Sequence, residues 1–211
     1  MSKYDGLDNA VIFDFETLST DRVNGVVVSF AMLNFSESRM SSDIPHTFEE
    51  LLSKVNYIKF DVKDQVKTYK RKISKSTLDW WNSQDKEIKK DQLTPRDDDK
   101  SISELYDFFM LHKPTNANKY YSRGNTFDPI ILDYIMEQSG KNTPYNFWET
   151  RDTRSVIDGL SWGTKLKNNF TPEGCEGYKT HDPRHDIALD VMRIQSLVLA
   201  TEGLHAENES V

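Results

Sequence analysis

Two acidic residues separated by one position end an apolar stretch near the start of the chain. Asp14 and Glu16 lie in the segment VIFDFETLS, whose aromatic and β-branched residues predict a buried strand. Alternate side chains share one face of a strand, so both carboxylates point to the same side. Burial and mutual repulsion disfavour their charged forms, and a divalent ion such as Mg²⁺ or Mn²⁺ would remove that penalty. Alternatively, the two acids line a solvated strand end.

A third acid, Asp128 in SRGNTFDPI, stands directly before Pro129. This pair predicts a helix start, with the acid as N-cap and the proline at the first helical position. Gly124 permits a tight turn at the end of a predicted strand, where ligands collect in α/β sheets. Asp128 could serve only as a cap, or it could cap with one oxygen and reach a water beside a metal ion with the other.

The segment HDPRHD repeats this arrangement near the other end of the chain. Asp182 is the predicted cap and Pro183 the first helical residue, so Asp186 falls in the first turn and faces inward, while His181 lies on the preceding loop. A histidine there could reach a water molecule bound to such a metal ion. Its ordinary pKa of about 6.5 suits a general base near neutral pH. His181 could equally be a surface histidine.

Two neighbours compete with these assignments. His185 is a second candidate base, but it directly precedes Asp186 on the helix, so its side chain should point away from the face of that acid. Asp190 lies four residues after Asp186 on the same face and could assist it, although pairing with Arg193 is the simpler interpretation.

Other side chains could bind a nucleic acid. Guanidinium groups match phosphates bidentately, which makes three arginines candidate phosphate ligands. They are Arg123, Arg151 and Arg154. The last two could instead pair with Asp152 as a structural link. Phe127 and Trp148 could each stack on a base, or they could pack in the core.

Length and composition indicate one soluble globular domain. The chain has 211 residues, and we expect a single domain spanning 1–211 with frayed ends at about 1–8 and 203–211. No apolar run approaches the roughly 20 residues of a membrane span, and the N-terminus has no apolar signal stretch. With a single cysteine, Cys175, these features predict a cytoplasmic protein without a membrane partner.

The charge balance limits how the chain could hold a nucleic acid. The formal net charge of −7 argues against retention by bulk positive potential. Local charge can differ, and the basic run from Lys63 to Lys75 could follow a nucleic-acid backbone or simply form a solvated surface.

Short apolar runs and helix-start signals predict the order of the elements. Strands are expected at 10–15, 26–35, 57–62 and 119–122, with the first two forming a hairpin. Helices are expected at 76–82, 101–112, 128–139, 152–160 and 182–201, and loops at 90–100 and 165–179. Ser76 or Thr77 would cap the first helix, on which one of Trp80 and Trp81 should be buried and the other partly exposed.

This order suits an α/β fold with a mixed sheet flanked by helices, antiparallel at the start and parallel later. The ribonuclease-H-like arrangement has the same order of elements.

Taken together, the acids and the histidine resemble the DEDDh family of 3′–5′ exonucleases. The run from Asp14 to Thr17 matches the first block of that family, Asp128 the second, and His181 to Asp186 the third. The segments STLDWWNSQD, RGNTFDPIIL, FWETRDTRSVID and THDPRHDIALD are similar, more narrowly, to the exonuclease A family of T-even bacteriophages and its bacterial relatives. This resemblance spans roughly residues 11–195.

The resemblance implies a metal-dependent 3′–5′ exonuclease that hydrolyses single-stranded DNA or RNA ends to nucleoside 5′-monophosphates, using two Mg²⁺ or Mn²⁺ ions. By position, the metal-site residues would be Asp14, Glu16, Asp128 and Asp186. Of these, Asp128 would act at least partly through water. His181 would be the general base, and Thr17 and Leu18 would contact the terminal nucleotide.

Two other functions stay open at this point. One is a binding module of the same fold that holds nucleic-acid ends or a protein partner without turnover. The other is an endonuclease or another phosphoesterase that uses the same metal ions. The residues do not decide between DNA and RNA, and they do not set the oligomeric state.

Overall fold

Five strands form one mixed sheet in the computed structural model, which describes residues 10–162, 164 and 166–209. They are β1 (Ala10–Thr17), β2 (Val27–Phe35), β3 (Asn56–Lys59), β4 (Lys119–Ser122) and β5 (Thr150–Asp152). Their order across the sheet is β3-β2-β1-β4-β5. The strand β1 is antiparallel to β2 and parallel to β4, so the predicted hairpin and the mixed sheet are confirmed.

Alternating side chains of the central strand β1 face two different cores. Ile12 packs in the core on one side of the sheet, and Phe13 and Phe15 pack in the core on the other side. Asp14 and Glu16 follow Ile12 along the same face, towards the carboxyl end of the strand. The two acids therefore share one face, as the alternation predicts.

Eight α-helices surround the sheet within the described residues. They are α1 (Phe48–Ser53), α2 (Val62–Lys67), α3 (Lys75–Ser83), α4 (Lys86–Leu93), α5 (Leu105–His112), α6 (Asp128–Gln138), α7 (Thr153–Ser161) and α8 (Pro183–Glu209). The helices α1, α7 and α8 cover the Ile12 face, whereas α5 and α6 cover the Phe13 face. Because both faces are covered, a ligand must approach at the ends of the strands.

The helix α3 is attached to the end of β1. Trp81 is fully buried, and its indole N–H donates to the carbonyl of Thr17 at 2.9 Å. The N–H of Ser74 donates to the carbonyl of Leu18 at 2.8 Å. Trp80 is 40 % exposed, so the prediction of one buried and one partly exposed tryptophan is confirmed. The register of α3 is thus fixed relative to the strand that carries the acids.

Caps at unexpected positions move two element boundaries. The third strand ends at Lys59 rather than at 62, because Asp61 caps α2 by accepting the N–H of Lys63 at 2.7 Å. The cap of α3 is Ser74, which accepts the N–H of Thr77 at 3.1 Å, so the predicted cap at Ser76 or Thr77 is wrong.

Two helices extend further along the chain than predicted, because the residues that follow also favour helix. The helix α4 extends to Leu93, into the predicted loop 90–100, and α8 extends to Glu209, eight residues past its predicted end. The tail is rich in good helix formers, and its single glycine does not suffice to stop the helix. Residues 1–9, 163, 165, 210 and 211, which include parts of the predicted frayed ends and loop, lie outside the described residues. None of the described helices has the length and apolar character of a membrane span.

Arg71 and Trp148 differ from their predicted exposure to solvent. Arg71, in the basic run, is only 3 % exposed and donates to the carbonyl of Gly25 at 2.8 Å and to the Gln138 side chain at 2.7 Å. This arginine is therefore a structural link rather than part of a basic surface. Trp148 is 62 % exposed, so core packing is wrong for this residue.

Two buried glutamine side chains form hydrogen bonds with backbone groups of other segments. Gln65 of α2 accepts the N–H of Val27 at 2.9 Å and donates to the Val27 carbonyl at 2.7 Å. Gln195 of α8 makes the same pair of bonds with His46, at 2.8 and 2.9 Å. A buried backbone group without a partner is costly, so each amide links its helix firmly to the chain it bridges.

Gln65→Leu should destabilise the protein by about 2–4 kcal/mol, because it leaves the N–H and the carbonyl of Val27 buried without partners. Urea unfolding followed by circular dichroism measures this loss. The matched control Lys67→Met changes an exposed position of the same helix and should stay within about 0.5 kcal/mol of the parent. Equal stability of the two variants would contradict the role of the Gln65 bridge.

Candidate active site

Acidic side chains from β1, α6 and α8 meet at the carboxyl end of β1. The ligand atoms of Glu16, His181 and Asp186 all lie within 4.8 Å of one another, which is close enough to hold one metal ion. Asp14 and Asp186 line a cleft of about 290 Å³, to which His181 also contributes. The structure therefore brings together residues that are far apart along the chain, as the sequence predicts.

Asp128 joins this group through a bond to β1 and not through a cap. It is the first residue of α6, and its carboxylate accepts the N–H of Phe15 at 3.3 Å. The residue at the N-cap position is Phe127, so the predicted N-cap role of Asp128 is wrong. Pro129 does lie at the start of the helix, as predicted. Asp128 is only 3 % exposed, and its bond to the backbone between Asp14 and Glu16 places a third acid beside the first two.

The start of α8 positions His181 and Asp186. The N–H of His181 donates to Asp186 Oδ2 at 3.1 Å, and the hydroxyl of Tyr178 donates to Asp186 Oδ1 at 2.5 Å. Asp182 accepts the N–H of Arg184 at 3.1 Å, which fits its predicted role as the cap. His181 has a φ of +64°, a left-handed conformation that is uncommon for a residue with a side chain. Such strained residues concentrate at functional sites.

Burial and mutual repulsion dominate the electrostatics of the acids. Burial, followed by the charges of Asp128 and Glu16, raises the pKa of Asp14 well above its ordinary value. Burial and the charges of Asp186 and Asp128 do the same to the pKa of Glu16. Burial raises the pKa of Asp128 to about 7, against the opposing effect of the Phe15 N–H, and raises the pKa of Asp186 to about 6. Four acids that resist ionisation together need a compensating positive charge near neutral pH.

The two histidines at the start of α8 have different surroundings. Burial lowers the pKa of His181, so its ring is neutral at pH 7 and able to accept a proton. His185 instead packs against Phe48, with ring centroids 5.7 Å apart, and its Nδ1 is buried without a hydrogen-bond partner among the described residues. This placement agrees with the expectation that His185 points away from Asp186.

Arginines line the wall of the same cleft. Asp190 is buried and accepts hydrogen bonds from the guanidinium of Arg123, from Arg193 at 3.1 Å and from the Thr153 hydroxyl at 2.6 Å. Pairing with Arg193, the simpler interpretation of Asp190, is therefore present, and Arg123 joins it. We call the space between Asp14, Arg123, Tyr178, Asp186 and Arg193 the arginine cleft.

A second depression lies on the Glu16 side of the acids. It has a volume of about 390 Å³ and is lined by Glu16, Thr17, Trp80 and Phe127, among others, and we call it the aromatic groove. Phe127 packs partly against the core and partly lines this groove, so both of its predicted roles are compatible with its position. Thr17 lines the groove as well, and its hydroxyl donates to the Ser19 carbonyl at 2.8 Å.

Three predicted substrate contacts lie elsewhere. The side chain of Leu18 is buried, and both of its backbone groups bond to other backbone groups. Arg151 donates to the carbonyls of Trp148 and Thr150, both at 2.8 Å. Arg154 is exposed on α7, and its guanidinium has no ion pair with any other described residue, including Asp152. None of the three lines the arginine cleft or the aromatic groove.

Sequence reasoning missed Tyr178 as a member of the site. It lies in the aperiodic segment before the last helix, which offers no local signal for its bond to Asp186. The sequence predicts only that one of Trp80 and Trp81 is partly exposed, and the fold shows that this residue is Trp80 and that it lines the aromatic groove.

The donor set fits divalent metal ions. Carboxylate oxygens suit hard divalent ions such as Mg²⁺ or Mn²⁺, and the raised pKa values of the acids show that a nearby positive charge would favour their ionised forms. Bound ions would lower those pKa values by supplying that charge.

Comparisons with known proteins agree with this geometry. A family model described as the 3′-5′ exoribonuclease Rv2179c-like domain matches residues 9–191. The chain belongs to this family. It is a 3′–5′ exonuclease, and it is also 30 % identical to the exodeoxyribonuclease of Enterobacteria phage T4, over 92 % of this chain and 90 % of the phage protein.

Solved structures share the fold of this chain. Zinc-bound Escherichia coli exonuclease I in complex with single-stranded DNA has a TM-score of 0.58 and 11 % identity, covering 93 % of this chain and 40 % of that chain. A second exonuclease I structure has a TM-score of 0.57, with 93 % and 41 % coverage. The Rv2179c-like chain thus spans about two fifths of exonuclease I, and this likeness confirms the ribonuclease-H-like fold.

Asp128→Asn should stabilise the metal-free protein at alkaline pH. A carboxyl group whose folded pKa is raised keeps its proton after the unfolded chain has lost its own, so its stabilising effect is present below about pH 4 and is lost as the pH rises through about 7. The amide keeps an oxygen for the Phe15 N–H but carries no charge.

We expect the Tm of Asp128→Asn in EDTA at pH 8 to exceed that of the parent by roughly 2–4 °C, equivalent to about 1 kcal/mol, with a smaller difference at pH 5. Differential scanning calorimetry measures both. Asp107→Asn, at an exposed position of α5, is the matched control and should give no increase. A lower Tm for Asp128→Asn than for the parent at pH 8 would count against repulsion among the acids.

Proposed function

We propose that this Rv2179c-like exonuclease hydrolyses single-stranded DNA or RNA from the 3′ end to nucleoside 5′-monophosphates, with two divalent ions and a histidine general base. The observation that carries the proposal is the convergence of Glu16, His181 and Asp186 within 4.8 Å, beside the half-buried carboxylate of Asp14 and the buried carboxylate of Asp128. The cytoplasm, or the host cytoplasm if the chain is phage-encoded, is the proposed place of action.

Two Mg²⁺ or Mn²⁺ ions bound by the four acids would neutralise them, polarise the scissile phosphate and stabilise the leaving oxygen. Hydrogen bonds within the protein hold two of these acids in place before the substrate binds. The Phe15 N–H holds Asp128, while the Tyr178 hydroxyl and the His181 N–H hold Asp186. Such preorganisation avoids rearrangement during the reaction.

His181 is the proposed acceptor of the proton from the attacking water. Its ring lies beside Glu16 and Asp186, and burial keeps it neutral at pH 7. The ring can then return the proton to solvent after each cleavage. A positioned general base contributes about 10²–10⁴-fold to the rate, which sets the size of the loss expected without it.

The two depressions beside the acids suit the two parts of a nucleotide. Arg123 in the arginine cleft offers a guanidinium to phosphate oxygens, although it must share its charge with Asp190. Phe127 and Trp80 in the aromatic groove offer ring faces to a base, and stacking on such rings is worth about 1–3 kcal/mol per base. Neither kind of contact depends on base identity, as release of successive nucleotides from an end requires.

An end-labelled assay tests the proposed reaction. A 5′-labelled single strand, as DNA and as RNA, should give a ladder shortened from the 3′ end with Mg²⁺ and none with EDTA. Asp14→Asn should lose at least about 10³-fold in rate, or about 4 kcal/mol of barrier, whereas Asp107→Asn should keep the rate of the parent. A circular single strand should stay intact.

The other functions predict different outcomes in the same assay. Cleavage of the circle would indicate an endonuclease. Binding of the linear strand without cleavage, across several metals, would indicate a binding module. Undiminished cleavage by Asp14→Asn would remove that residue from the proposed site.

His181→Asn distinguishes a general base from a metal ligand. If the ring acts as a base, kcat should fall about 10²–10⁴-fold while the affinity for Mn²⁺, measured by calorimetric titration, stays within about twofold. If the ring is a ligand, the affinity should fall together with the rate. Glu16→Gln is the comparison variant, since loss of that carboxylate should weaken Mn²⁺ binding in either case.

A further inference from the structure

The imidazole of His181 is oriented by a ring and not by a hydrogen bond. Its backbone N–H bonds to Asp186, but neither ring nitrogen bonds to another described residue. The ring of Trp80 packs against it instead, with centroids 4.7 Å apart and an interplanar angle of 77°. Histidines in active sites are usually oriented by a hydrogen bond from the second ring nitrogen to a carboxylate or a carbonyl. At His181 the contact with Trp80 takes the role of that hydrogen bond.

Trp80 is itself held relative to the acids. The neighbouring Trp81 is fully buried and donates to the carbonyl of Thr17, the residue after Glu16. Ser74, which caps α3, donates its own N–H to Leu18. The helix that carries Trp80 therefore depends on the end of β1, and the ring keeps a fixed place beside Glu16.

The same tryptophan lines the aromatic groove. It is 40 % exposed, and the groove it lines also contains Glu16 and Phe127. One ring thus contacts both the imidazole and the space proposed for the substrate. A group seated in that groove would restrict the motion of Trp80, and with it the orientation of His181.

We propose that Trp80 is a positioning residue for His181, holding the imidazole by an edge-to-face contact in the orientation that accepts the proton. This inference rests on the proposed function of His181. A small error in the placement of a catalytic group can cost about 10²-fold in rate, so one ring contact is enough to matter. A merely structural tryptophan would support α3 without affecting the proton transfer.

A double-mutant cycle separates these two roles. Trp80→Ala should lower kcat roughly 10- to 100-fold, measured at a saturating concentration of 5′-labelled single strand with Mg²⁺, in addition to any rise in KM from the lost stacking. In the His181→Asn background the same substitution should lower kcat less than about threefold, because the group it positions is gone. Trp80→Phe, which retains a ring, should recover most of the rate. Trp162→Ala, at an 81 % exposed position, is the matched control and should keep the parent rate.

A second measurement does not depend on activity. In the metal-free protein, the ring current of Trp80 should displace the His181 ring proton signals in an NMR spectrum, and Trp80→Ala should return them towards their ordinary positions. Trp162→Ala should leave them unchanged. Thermal unfolding shows whether each variant is folded.

The outcomes can be told apart. Equal losses of kcat in the parent and His181→Asn backgrounds, or a loss confined to KM, would overturn the positioning role. Unchanged His181 signals in folded Trp80→Ala would overturn the contact itself. If the parent protein had no exonuclease activity, the proposed function would fail, and the NMR comparison would still decide whether the two rings meet.

Discussion

Repulsion among closely spaced, poorly solvated carboxylates is the constraint on which the rest of the structure depends. Asp14, Glu16, Asp128 and Asp186 come from three elements, and burial raises the pKa of each of them. Bringing four acids together raises the free energy of the folded protein, so the surrounding structure must offset this destabilisation. The two hydrophobic cores on either side of β1 supply that stability, because they hold the strand rigidly whatever the charge at its end.

The carboxyl end of β1 anchors α6 and α3 beside the acids. Its Phe15 N–H bonds to Asp128, its Thr17 carbonyl accepts from Trp81, and the carbonyl of Leu18 accepts from Ser74. The first bond holds α6, and the other two hold α3, beside the strand that carries the first two acids. This explains why Leu18, although it adjoins the site in sequence, has no polar group free for a substrate. Its backbone secures α3, and α3 in turn presents Trp80 to His181.

The sequence predicts those parts of the site that have a local cause. Alternation along β1 places Asp14 and Glu16 on one face, and proline after aspartate marks the starts of α6 and α8. Local rules fail where a tertiary bond competes with them, as at Asp128, whose carboxylate accepts the N–H of Phe15 while Phe127 takes the N-cap position. They give no signal for the contact of Trp80 with His181, which lie far apart in the sequence. They also give none for the bond of Tyr178 to Asp186, because Tyr178 lies in an aperiodic loop.

The placement of positive charge explains how a chain with a net charge of −7 can act on a polyanion. Arg71, within the basic run, is used internally, so that run is a weaker candidate for a binding surface than its composition indicates. Arg123 and Arg193 instead reach the cleft beside the acids, and the buried Asp190 fixes both of them there. These arginines lie where bound metal ions would add to their attraction for phosphate, while the net charge of −7 disfavours binding by bulk attraction. Such a distribution favours contact at a chain end that can enter the cleft over adsorption along its length.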